Sequence, residues 1–234
     1  MEPLERQVNQ DAIRQWIETG SDSALCSNLL QPHMVRLDGL GRFALADAQP
    51  SGDLQLPAHN HLWPLLQDDP ARERARALIH DAFGLYFFVD VTAMTQFRIR
   101  MAADAPEGVD ELSFGPEARE FSAIAPVLTE LGDGVQAFVG LISAVLGLPG
   151  NLLLVDEPEA FLHPVLARRL GSNLTELANH HSGNLVVATP GFGRSTSARD
   201  RLHSSWFLGR CRPRALVCNM PAKPCDRHEI RFLN

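Results

Sequence analysis

Short apolar runs alternate with longer amphipathic stretches along this chain, the pattern of an α/β protein. The most telling run is Leu152-Leu153-Leu154-Val155, which passes without a break into Asp156 and Glu157. Four aliphatic residues in a row predict a central strand buried on both faces of a mostly parallel sheet. Residues 184–189 repeat the pattern as Asn-Leu-Val-Val-Ala-Thr. Residues 84–90 read as a buried strand, and 96–101 alternate as a half-exposed one. Residues 34–39 and 42–46 flank a glycine-containing turn and predict a β-hairpin. Among helices, Asp69 caps one that opens on Pro70 and runs to about Phe83. Residues 117–131 predict a helix broken at Pro126, and the apolar stretch 139–146 a buried one. Pro164 opens a helix over 165–178, whose Arg168 and Arg169 face solvent or a subunit partner. The polar stretch 1–33 predicts an N-terminal helical segment.

Composition narrows the class. With 234 residues and 45 % hydrophobic content, the chain has material for one or two ordinary domains with a substantial core. A net charge of −7 argues against a disordered or strongly nucleic-acid-binding protein. The charge is uneven, however: residues 189–234 hold nine basic residues against three acids, and the rest of the chain twelve against twenty-five. Cys211, Cys218 and Cys225 also fall in this basic tail. Three readings compete for it: a nucleic-acid or anionic-partner segment, a metal site with His203 and His228, or sequence from a reading-frame change near Thr189. The cysteines lack the close pairs of zinc motifs, and the frame change is the preferred account. His59 and His61, one residue apart, point the same way on a strand and could share a metal, but no third ligand is evident and loop histidines are the plainer reading. No apolar run reaches transmembrane length and the N-terminus lacks an apolar signal core, so a cytoplasmic protein without membrane contact is expected.

The chemistry concentrates after the Leu152 run. Asp156 and Glu157 stand at the strand's C-terminal edge, where open α/β sheets bind ligands. In nucleotide hydrolases the first acid of such a pair holds Mg²⁺ and the second orients and deprotonates the attacking water. A strand ending in a solvated acidic turn is the plain alternative. The whole string, Asp156-Glu157-Pro158-Glu159-Ala160-Phe161-Leu162-His163-Pro164, resembles the Walker B and D-loop segment of ABC-type ATPases. Within these it is similar to the soluble AAA-family branch related to OLD and RecF-like proteins. About twenty residues upstream, Leu131-Gly132-Asp133-Gly134-Val135-Gln136 resembles the family's signature turn, with Gly132 in place of the usual serine. An ordinary capped turn is the alternative there.

The resemblance implies a P-loop NTPase-like, ABC-type α/β fold: a mostly parallel sheet with flanking helices. It implies ATP and Mg²⁺ as ligands, with Mg²⁺ on Asp156 and Glu157 as the base. Gly132, Asp133, Gly134 and Gln136 would then reach nucleotide on the opposite subunit. It covers residues 34–188. Two departures limit it. A P-loop needs G-x-x-x-x-G-K-[ST], yet the only lysine is Lys223, with no glycine loop around it. Where the family pattern calls for a Thr-His-Ser switch, this sequence has Thr189-Pro190-Gly191. The expectation is therefore an N-terminal segment (1–33), a partial ATPase domain lacking its nucleotide-binding part (34–188), and a divergent basic tail (189–234). Four functions remain open: an ABC-type ATPase that is impaired alone and works as a homodimer or with a P-loop-bearing chain; a non-catalytic remnant; another metal-dependent hydrolase using Asp156, Glu157 and Glu159; or nucleic-acid binding through the tail.

Overall fold

Aliphatic runs become strands and amphipathic stretches helices, with one exchange of partners that the sequence pattern does not foretell. The computed structural model describes residues 14–189 except 16, 31–32, 54, 56–57, 149–150 and 181–183. In chain order these form α1 (Asp22–Leu25), β1 (Met34–Leu37), β2 (Gln49–Pro50), α2 (Leu62–Gln67) and α3 (Asp69–Phe83). There follow β3 (Tyr86–Asp90), β4 (Gln96–Ala102), α4 (Pro116–Ile124), α5 (Asp133–Gly147), β5 (Leu152–Asp156), α6 (Pro164–His180) and β6 (Asn184–Ala188).

The first sheet is parallel, with β5 between β1 and β6; Val155 stands opposite Leu37 on one side and Val187 on the other. The strand is central as its aliphatic run predicts, but its two faces are unequally covered: Leu153 and Val155 are buried, whereas Leu152 and Leu154 on the other face are half-buried. The second sheet is antiparallel, in the order β2-β4-β3.

The hairpin expected from residues 34–46 does not form. Its first arm is β1 and pairs in parallel with β5, while Phe43–Leu45 is a single 3₁₀ turn. The cause lies at Asp38: its Oδ1 accepts the Gly41 amide at 2.8 Å and its carbonyl accepts the Arg42 amide at 3.1 Å. This side-chain-capped turn drives the chain away from β1 and against α5. There Leu45 Cβ and the Arg42 carbonyl crowd Gly140 so closely that a Cβ would sit 3.1–3.2 Å from both. The hairpin in this protein is instead β3–β4, where Asp90 Oδ1 accepts the Thr92 amide in the turn.

Helix α5 is the hub. Every residue from Ala137 to Val145 is buried, as expected of a helix apolar all round. It packs on α2, α3, α6 and the Phe43–Leu45 turn, with Phe83 and Phe138 edge to face at 5.2 Å. One continuous core joins Leu153, Val155, Leu185 and Val187 of the parallel sheet to Phe87, Val89, Ile99 and Met101 of the antiparallel one. The helix expected to open at Asp69–Pro70 is capped one residue earlier, by Asp68 Oδ1 accepting from the Ala71 amide at 3.0 Å. Arg169 of α6 is not purely solvated: it forms an ion pair with Asp81 of α3 at 3.4 Å. The break at Pro126 is real, with α4 ending at Ile124 and a separate 3₁₀ turn at Leu128–Glu130. Residues 1–13 and everything from Pro190 on, including the basic residues and cysteines of the tail, lie outside the described residues.

Candidate functional site

The site forms where β5 stops being a strand. Asp156 is its last residue, opposite Ala188 of β6. The ladder continues one step further through the Glu157 amide, which donates to the Ala188 carbonyl at 2.8 Å. Glu157 itself has φ +47° and Phe161 φ +68°, both left-handed. Side chains rarely adopt that region, and such strain is concentrated at working sites. Between them the chain closes on itself, the Ala160 amide donating to Glu157 O at 2.9 Å and the Leu162 amide to Glu159 O at 3.0 Å. His163 then starts α6, its Nδ1 accepting from the Val165 amide at 3.4 Å.

This loop fixes three carboxylates differently. Asp156 is half-buried and Glu157 exposed, and neither carboxylate makes a hydrogen bond or close ion pair among the described residues. Glu159 is turned inward, where its Oε1 accepts the Thr189 hydroxyl at the end of β6. Two oxygen-donor groups left free at a strand's end suit Mg²⁺, which takes one or two carboxylates plus phosphate oxygens and water rather than an all-protein cage. No group of three or more His, Cys, Asp or Glu gathers as a metal cage among the described residues. His59 and His61 do not pair. His59 is exposed, whereas His61 is 3 % exposed at the start of α2 and has its pKa lowered to about 4 by burial, which a hydrogen bond with the Leu45 backbone only partly opposes.

The upstream turn meets the same loop. Gly132 precedes α5 with extended ψ of 150°, and Asp133 and Gly134 begin the helix. A Cβ on Gly134 would lie 3.0 Å from the Phe161 carbonyl, so glycine is what lets the two segments approach. The glycine turn thus abuts the loop after Asp156 and Glu157 at Phe161 and Leu162. Gln136 is placed otherwise: its amide donates to Leu131 O at 2.7 Å and Thr129 O at 3.3 Å, closing the preceding 3₁₀ turn. The amides at the start of α5 suit an anion, while the Asp133 carboxylate beside them opposes one.

One participant escaped sequence reasoning. Arg42, in the turn after β1, is 0 % exposed. Its Nε reaches Asp38 O at 3.4 Å, but among the described residues Nη1 and Nη2 have no hydrogen-bond partner. Burial lowers its pKa, and the fields of Glu159, Glu157, Asp156 and Asp38 oppose that shift. The sequence signal was an arginine between Gly41 and the half-buried Phe43, inside what read as a hairpin arm. Apolar groups rim the same end: Leu40 is 85 % exposed and Phe161 53 %, with Phe161 edge-on to Phe43 at 5.0 Å.

Residues 17–190 match the family described as AAA domain, putative AbiEii toxin, Type IV TA system. The chain belongs to this AAA domain family. Membership implies nucleotide binding, typically with Mg²⁺, and the α/β architecture fits a P-loop NTPase-like fold. No curated protein and no solved structure match the chain. Among the described residues of this AAA domain, no helix is long and apolar enough to cross a membrane.

Proposed function

We propose that this AAA domain carries the metal-and-water half of an ABC-type ATPase site, with the P-loop half supplied by an adjoining segment or a partner chain. The observation that carries the reading is the pair of unengaged carboxylates on the central parallel strand. Asp156 would hold Mg²⁺, which when bound neutralises phosphate charge. Glu157, anchored by its amide to Ala188, accepts the proton of a water aligned for attack. The start of α5, with Gly132, Asp133 and Gly134, presents amide donors toward nucleotide held by a second copy or partner. Gln136 supports that turn from behind by bonding Leu131 and Thr129.

The residues fit the metal end and not the phosphate cradle, because no G-x-x-x-x-G-K occurs in the 234 residues. That same fact favours a second reading, a non-catalytic domain that keeps the fold and an interaction surface. In calorimetric titration the chain alone should show no saturable uptake of Mg-ATP at micromolar nucleotide. A tight magnesium-dependent isotherm would refute the divided site. When a P-loop-bearing segment is added, with Pro190→His and Gly191→Ser restoring the switch pattern, turnover should appear. In that background Glu157→Gln should lower it by ~10²–10⁴-fold while sparing nucleotide binding. Asp156→Asn should weaken the magnesium-dependent step. Turnover by the Glu157→Gln variant equal to its parent's would sink the assignment of the base.

A further inference from the structure

We infer that Arg42 is the built-in counter-cation of the acids that follow β5, and that it competes with a divalent metal for Asp156 and Glu157. This rests on the metal role proposed for Asp156. Its support is the burial and partnering of Arg42 rather than the family pattern.

A guanidinium stays protonated in proteins, so its charge cannot be shed on burial. Arg42 is fully buried, and among the described residues neither Nη atom has a hydrogen-bond partner. An uncompensated buried charge is strongly unfavourable, and its compensation must come from the groups whose fields reach it. Those are Glu159, Glu157, Asp156 and Asp38, in decreasing order. Besides the Asp38 carbonyl, Arg42 thus has the fields of four carboxylates, of which Asp38 is also met by Arg36 Nε at 3.8 Å. Among the described residues, no ion pair within 4.0 Å joins Arg42 to Asp38, Asp156 or Glu157. Polar groups that attract across more than hydrogen-bond distance in a buried region are commonly bridged by ordered water. The arrangement therefore suits a carboxylate cluster held together by a central cation.

Each parallel strand adds one member at its C-terminal end. Arg42 follows β1, Glu159 follows β5, and Thr189, bonded to Glu159, follows β6. A metal arriving at Asp156 and Glu157 meets acids whose field already serves Arg42, and it is repelled by the guanidinium. Metal alone is then held weakly, and phosphate oxygens must accompany it to tip the charge balance. The device makes occupancy of the site depend on nucleotide.

The test is a Mn²⁺ titration of the full chain, followed by electron paramagnetic resonance and by thermal melting with and without Mn²⁺. Arg42→Met and Arg42→Gln remove the charge and should tighten Mn²⁺ at least tenfold. Arg42→Lys keeps the charge and should leave affinity near that of the parent. In an Asp156→Asn background the gain from Arg42→Met should vanish, since the two residues act on one ion. Where a neutral variant melts early, Mn²⁺ should restore its melting temperature by taking over as counter-cation. Unchanged or weaker Mn²⁺ binding in both neutral variants overturns the competition, as does an early melt that Mn²⁺ fails to rescue. If Asp156→Asn alone leaves Mn²⁺ affinity unaltered, it is the metal role of Asp156 that fails.

Discussion

Acidification should destabilise this domain partly through one imidazole. His61 lies at the start of α2, 3 % exposed, with no hydrogen-bond partner for Nε2 among the described residues. Burial holds its folded pKa at about 4, against an ordinary value of 6.5. Between those values the unfolded chain binds a proton at this position and the folded chain does not, so stability rises with pH across the window. The contribution of neutral His61 is intact above 6.5 and is lost progressively as pH falls toward 4. At 1.36 kcal/mol per pKa unit, the full loss is about 3 kcal/mol, of which about 2 kcal/mol falls between pH 7 and pH 5. Asp90 acts lower down. Although burial alone would raise its pKa, hydrogen bonds from Thr92 and Arg100 bring it below 3.8, so its contribution persists until the medium is more acid than that. Urea unfolding at pH 7 and pH 5 reads the His61 step directly. His61→Leu keeps a similar volume and gives up the bond to Leu45, costing about 1 kcal/mol at pH 7. It should lose much less stability than the parent between the two pH values. A parent and variant with the same pH dependence in that window would refute the assignment of the step to His61.

Three further outcomes follow from packing and charge. Gly147→Ala should destabilise despite the usual helical preference for alanine of about 1 kcal/mol. A Cβ there would fall 1.8 Å from the His61 carbonyl oxygen, which is backbone and cannot swing aside; a rise in melting temperature would contradict this close approach. Arg100→Met should cost about 3–5 kcal/mol by stranding the 1 %-exposed Asp90 carboxylate, which Arg100 Nε now meets at 2.7 Å. Adding Asp90→Asn should recover part of that loss, and denaturant unfolding of the single and double variants measures both effects. Asp68→Ala should cost about 1 kcal/mol through loss of the α3 cap, a loss absent from Asp69→Ala if the cap is correctly assigned.

The sequence by itself determined what depends on local pattern. The aliphatic run Leu152–Val155 predicted a central strand, and it is the middle strand of the parallel sheet, with Leu153 and Val155 buried. Pro164 and the break at Pro126 mark helix ends where backbone chemistry demands them, whereas Gly84, read as the first residue of a strand, is the left-handed cap that ends α3. The acids after β5 were legible for the same reason, since a strand end and its two carboxylates are adjacent in the chain. What tertiary structure decided was pairing across distance. Met34–Leu37 has the same local pattern whether its partner is residues 42–46 or β5, 115 or more residues away; the Asp38 turn and the packing of Leu45 on α5 select the second. Gln136 read as a ligand contact and is engaged with its own turn. Arg42 carried no motif, and its meaning arises only once β1 is laid beside β5 and a buried charge is set among acids separated from it by over a hundred residues of chain. Hydrophobic period specifies an element and its buried face, but the field inside a folded site is the sum over groups that only the fold assembles.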